Sequence, residues 1–180
     1  MKHCIATLAL VVLSSLPAFG QSGASLGPEV GFHKPRDADE TKAMGGAALR
    51  LKLDQSIGIE GSVSYREEAY NNGNLTVKSW PIMVTGLVYP FPAIYGAIGT
   101  GWYNSTIDYN NYPPGSSSSE TTQKFGWHFG GGAELPLGTS AKLVGDIKYV
   151  FLDYDFQTIP GTNGLNSDFY VISAGLLFNL

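Results

Sequence analysis

The chain has 180 residues, a formal net charge of −4 and 14% charged residues. That length suits one domain, and the acidic balance argues against a nucleic-acid partner, which would favour a basic face. Glycine is abundant (23 residues), with 10 tyrosines and 9 phenylalanines. No apolar run of about 20 residues follows the N-terminal segment, so no transmembrane helix is expected there.

The first twenty residues read as a secretory signal. Lys2 and His3 form a basic start, and Ile5 to Leu13 is an apolar stretch broken only by Thr7. Small residues at Ala18 and Gly20 predict cleavage between Gly20 and Gln21. The stretch is too short to cross a bilayer as a helix. Cys4 lies before it and leaves with the signal, so the remaining chain has no cysteine. It must hold its fold without disulfides in an oxidising compartment. The expected organisation is a cleaved signal over 1–20 and one β-barrel domain over 21–180.

Eight strands are predicted, over 25–33, 43–53, 56–66, 75–89, 94–108, 123–136, 141–155 and 168–180. Tight turns fall at 53–56, 89–94 and 136–140, and longer polar connections at 34–42, 67–74, 109–122 and 156–167. Three short turns and four long loops fit an eight-stranded antiparallel up-and-down transmembrane β-barrel, an all-β fold with both termini on the periplasmic side.

Alternation assigns the faces. In the third strand Ile57, Ile59, Val63 and Tyr65 oppose Glu60, Ser62, Ser64 and Arg66. In the seventh, Leu143, Ile147 and Tyr149 oppose Lys142, Asp146 and Lys148. A period of two is the pleated strand's own. The fourth and fifth strands are largely apolar or small on both faces and are left unassigned. The polar faces carry Glu29, Arg50, Lys52, Glu60, Glu134, Asp146 and Lys148. Mixed signs at mid-strand suggest charges that pair inside a narrow lumen, where an unpaired charge is costly. The alternative is a soluble barrel with these charges on its solvated outside.

Aromatic residues near the strand ends suggest two interfacial belts. Tyr65, Trp80, Trp102, Tyr103, Phe125, Trp127, Phe151, Tyr154 and Tyr170 adjoin the long loops, and Tyr89, Phe91 and Tyr95 flank a short turn. Pro81 removes a ladder donor inside the fourth strand and predicts a bulge or a position above the membrane.

Two segments carry a family resemblance. Phe125-Gly126-Trp127-His128-Phe129-Gly130-Gly131-Gly132-Ala133-Glu134-Leu135 ends a glycine-rich strand on an acidic residue, and Asp146-Ile147-Lys148-Tyr149-Val150-Phe151 follows after a tight turn. On these residues, and in architecture over residues 21–180, the chain resembles the small outer-membrane β-barrels, OmpA-like and OmpX-like. The resemblance implies insertion by the outer-membrane assembly machinery, which reads the final strand. That strand ends on Leu180 where the family usually has an aromatic residue, while Phe178 keeps the alternate register.

No reaction is legible. His33 adjoins Lys34 and Arg36, and His128 lies on a polar face; neither stands in the His-x-Ser arrangement of the lipid A deacylase barrels. His128 reads as a hydrogen-bonding lumen residue. No cluster has metal-ligand spacing, and Gly130–Gly132 is followed by no helix and so is no phosphate loop. No catalytic residue, metal or cofactor is expected. The expected role is structural or surface-interacting through the four outer loops, in contact with outer-membrane lipid and lipopolysaccharide. A small-solute pore and a lipid-modifying enzyme are the alternatives.

Overall fold

The computed structural model describes residues 23–35, 41–70, 75–110, 117–152 and 168–180. Eight strands form one closed antiparallel barrel in sequence order. They are β1 (Ala24–Pro35), β2 (Lys42–Lys52), β3 (Ile57–Tyr70), β4 (Leu75–Phe91), β5 (Ile94–Asn110), β6 (Ser117–Leu137), β7 (Ala141–Phe151) and β8 (Phe169–Asn179). Closure is made by β1 against β8, from Ser25 opposite Asn179 to Pro35 opposite Phe169. Closure removes the free sheet edges within the barrel wall. Unboiled and boiled samples should therefore migrate differently in gel electrophoresis, with β-rich circular dichroism lost on heating. Identical migration would contradict a closed barrel.

The strands do not end together. β4, β5 and β6 have 17, 17 and 21 residues, against 11 in β2, β7 and β8. The connections read from sequence at 67–74 and 109–122 are partly strand: β3 continues to Tyr70, β5 to Asn110, and β6 starts at Ser117. The serine and threonine run that reads as a loop is held in register against β5, as where Thr106 and Thr121 hydroxyls meet at 3.1 Å. β7 ends at Phe151. Tyr154 and the 156–167 connection lie outside the described residues, as do residues 1–22.

Pro81 makes no bulge. The β3–β4 ladder passes from Val63 opposite Ile82 to Arg66 opposite Ser79 with no register shift, skipping Trp80 and Pro81. The shift in β4 falls instead at Val88/Phe91, by the inner turn. Pro28 repeats the pattern at the closing seam, where the ladder passes from Leu26–Phe178 to Glu29–Gly175. A proline lacks the donor that a ladder position requires.

The outer face is apolar all round. Val30 is 64% exposed and Ile147 59%, with Ile82, Ile98, Phe129 and Ile172 similarly bare. So much contiguous apolar surface suits contact with lipid rather than water. β4 and β5 follow the same rule: Trp80, Ile82, Val84, Ile98 and Trp102 face out, while Met83, Thr85, Leu87, Tyr95 and Tyr103 face in. At mid-height every strand turns a small residue outward, Pro28, Ala47, Gly61, Gly86, Gly96, Gly131, Gly145 and Ala174, with Ala43 and Gly45 of β2 and Ala133 of β6 on the same face. Register sets Pro28 against Ala47, Gly96 against Gly131 and Gly145 against Ala174. The remaining members lie one diagonal step apart, so the eight form a ring.

Candidate functional site

The lumen gathers most of the chain's buried charge. Arg50, on β2, is fully buried. Its Nε donates to Glu60 Oε2 at 2.9 Å, and Nη2 makes a second contact with the same oxygen. Nη1 reaches Glu134 Oε2 at 3.3 Å, and Nη2 donates to the Tyr95 hydroxyl at 3.0 Å and lies 3.7 Å from Asp146 Oδ2. Lys148 Nζ donates to Glu60 Oε1 at 2.9 Å. Tyr95 in turn donates to Asp146 Oδ1 at 2.8 Å. Four strands thus converge on one guanidinium, whose planar fork suits several oxygen partners at once.

Nearer the inner turns, Glu134 binds Lys52 Nζ at 3.1 Å, accepts from the Tyr89 hydroxyl at 3.1 Å and lies 3.7 Å from Lys142 Nζ. Lys52 also sits 4.1 Å above the Tyr89 ring. The structure therefore brings Arg50, Lys52, Glu60, Glu134, Asp146 and Lys148 into one network. Glu29 is buried on β1 opposite Gly46 and Gly175, and among the described residues it has no ion-pair partner within 4.0 Å.

Glycine makes the convergence possible. A Cβ on Gly132 would lie 2.5 Å from the Tyr95 hydroxyl oxygen, and one on Gly99 would lie 2.7 Å from His128 Nε2. Only the bare backbone lets these side chains lie across the neighbouring strand. His128 is fully buried, with Nε2 2.9 Å from Thr85 Oγ1.

The outer half of the lumen holds an apolar cluster among buried serines, Arg66 and His33. Met44, Met83, Tyr103, Val150, Leu152, Phe169 and Val171 pack together. Arg66 caps the Phe169 ring at 4.2 Å, and His33 meets it edge-on at 6.2 Å.

Three tyrosines correct the belt expectation. Tyr89, Tyr95 and Tyr103 point into the lumen, and Phe91 alone of the inner-turn trio faces outward. Tyr89, Tyr95 and Lys142 thus belong to the network although sequence reasoning did not single them out as site residues. The alternation of Tyr95 with Ala97, Gly99, Gly101 and Tyr103 was the available signal, obscured because the opposite face is equally apolar. Without Tyr103, and with Tyr154 outside the described residues, the outer aromatics cluster on the outward face: Trp127 stacks on Phe151 at 4.1 Å, and Tyr149 meets Tyr170 at 4.6 Å.

A family model described as the outer membrane protein beta-barrel domain matches residues 6–178. The chain belongs to that family, and it is a protein of the bacterial outer membrane. Solved structures of similar fold include Ail of Yersinia pestis in complex with the heparin analogue sucrose octasulfate. It is 12% identical with a TM-score of 0.55, covering 88% of this chain and 97% of Ail. A major outer membrane protein of Thermus thermophilus is 13% identical with a TM-score of 0.63, covering 89% of this chain and 100% of that one. Neisserial surface protein A is 10% identical with a TM-score of 0.55, covering 88% and 96%. These likenesses establish the barrel fold alone. No curated protein matches the chain.

Proposed function

We propose that this outer-membrane barrel is a non-catalytic surface-interaction protein that presents the outer ends of β3 to β6 to the exterior. The observation that carries this reading is the unequal strand length. Among the described residues, the β6–β7 ladder begins at Trp127 opposite Phe151, so Ser117 to Gly126 of β6 run past the last described β7 pair. β3 likewise runs past its last β2 pair, Arg66 with Met44. Above Trp102 and Phe125 the wall turns polar, with Gln123 donating to Asn104 at 2.7 Å. That change suits an extension standing in water above the bilayer.

The filled lumen weighs against a pore. Arg50, Tyr95, Lys148, Leu87, Leu177 and Val150 are fully buried there, as expected of an eight-stranded barrel whose interior just holds its side chains. Purified protein in planar bilayers should give no steady conductance; stable unitary channels would revive the pore. The positive test uses cells displaying the protein and surface-immobilised sucrose octasulfate, the ligand present in the Ail structure, as first probe. Shortening the two outer hairpins to the level of Trp80 and Trp102 should abolish retention while preserving the heat-dependent gel shift. Retention unaffected by the shortening would overturn the reading.

Residues 1–20 serve, in this proposal, as the export signal, and β8 is the strand offered to the assembly machinery. The membrane form should begin at Gln21 by N-terminal sequencing, and an intact Met1 there would defeat the export assignment.

A further inference from the structure

We propose that the periplasmic mouth of the barrel binds an organic carboxylate carried on a small apolar body. The inner-turn end opens into a cavity of about 760 Å³, a size that suits a small organic ligand. Leu53, Tyr89, Pro90, Phe91, Pro92 and Leu180 contribute its apolar surface, and Lys52 and Lys142 also line it.

The lysines are short of acceptors. Lys52, Lys142 and Arg50 all converge on one carboxylate, Glu134, whose Oε2 also accepts from Tyr89. Lys142 lies 3.7 Å from Glu134, too far for a hydrogen bond. Its side chain is only 12% exposed, yet none of its three N–H donors is hydrogen-bonded among the described residues. Lys52 is 27% exposed and, among the described residues, has a single hydrogen bond, to Glu134. Asp54, the other carboxylate of the mouth, is exposed and accepts from the Ser56 and Ile57 amides at 2.6 and 2.8 Å.

An ammonium that shares its one carboxylate with two other cations favours an incoming anion, because charge-assisted hydrogen bonds are strong. The apolar walls favour a ligand whose remainder is hydrophobic, and the lysine pair disfavours cations. A peptide ending in an apolar residue with a free C-terminal carboxylate has this chemistry.

The test uses the whole protein in detergent micelles, followed by calorimetry and by amide NMR of Lys52 to Ser56 and Phe91. Three probes are compared: an N-acetylated apolar dipeptide acid, the same dipeptide as its amide, and inorganic phosphate. The acid should bind at least about tenfold more tightly than the amide or phosphate and shift those resonances. Lys142→Gln and Lys52→Gln should each weaken it about fivefold or more, Lys142→Arg should retain binding, and Lys124→Gln near the outer end should change nothing. The gel shift on heating verifies that each variant is folded. Equal binding of acid and amide overturns the charge assignment, and equal binding of acid and phosphate overturns the apolar body. Absence of acid binding overturns the site.

Discussion

Glu60→Ala should destabilise the barrel by about 3–5 kcal/mol, the usual result of removing one member of a buried ion network. Glu60 is the shared acceptor of Arg50 and Lys148, with Oε1 2.9 Å from Lys148 Nζ and Oε2 held by the guanidinium. Its loss leaves the fully buried ammonium of Lys148 without that carboxylate acceptor. Arg50 keeps Glu134, Tyr95 and Asp146, so Lys148 should account for most of the cost. Urea unfolding in lipid vesicles measures it. Adding Lys148→Met to Glu60→Ala should recover part of the loss, giving a coupling of about 0.5–3 kcal/mol. Strict additivity would show that the two side chains do not interact in the folded barrel.

Ile147→Lys should cost about 2–4 kcal/mol if the site lies at the bilayer midplane. Ile147 is 59% exposed on the outer face, opposite Gly131 on one side and Ile172 on the other. Its neighbour Lys148 already carries an ammonium in the same strand, but turned inward onto Glu60. The variant therefore separates facing from composition. The same change at Leu137, by the inner turn, should cost only about 0–1 kcal/mol. Equal costs at the two positions would mean that the lipid-facing assignment or the depth is wrong.

The barrel was legible where one face is polar and the other is not. In β3 and β7 the period-two pattern and the observed facing agree residue by residue. It was illegible in β4 and β5 because the lumen is not uniformly polar. Met83 and Tyr103 belong to the outer apolar plug, and Leu87, Tyr89, Tyr95 and Ala97 to a second apolar cluster beside the ions. Apolar residues there face both ways, and alternation carries no signal. The polar extension was missed for the opposite reason: residues 67–70 of β3, 109–110 of β5 and 117–122 of β6 are strand but mostly polar, and read as loop. The charged positions could be named from the pattern, but their partners could not. Glu134 and Arg50 are 84 residues apart, and only closure brings them together.

The ring of small outward residues from Pro28 to Ala174 gives the barrel a waist. Bulky side chains above it, such as Val30, Phe129 and Ile172, and below it, such as Leu26, Leu143 and Phe178, form two separate apolar collars. One collar meets the acyl chains of the outer leaflet and the other those of the inner. Between them, where the chain ends of the two leaflets meet, the wall recedes and offers little surface. Each leaflet then wets its own collar. A change in chain length in one leaflet can be absorbed in the recess between them rather than passed to the other, a geometry suited to a bilayer whose two halves are built from different lipids.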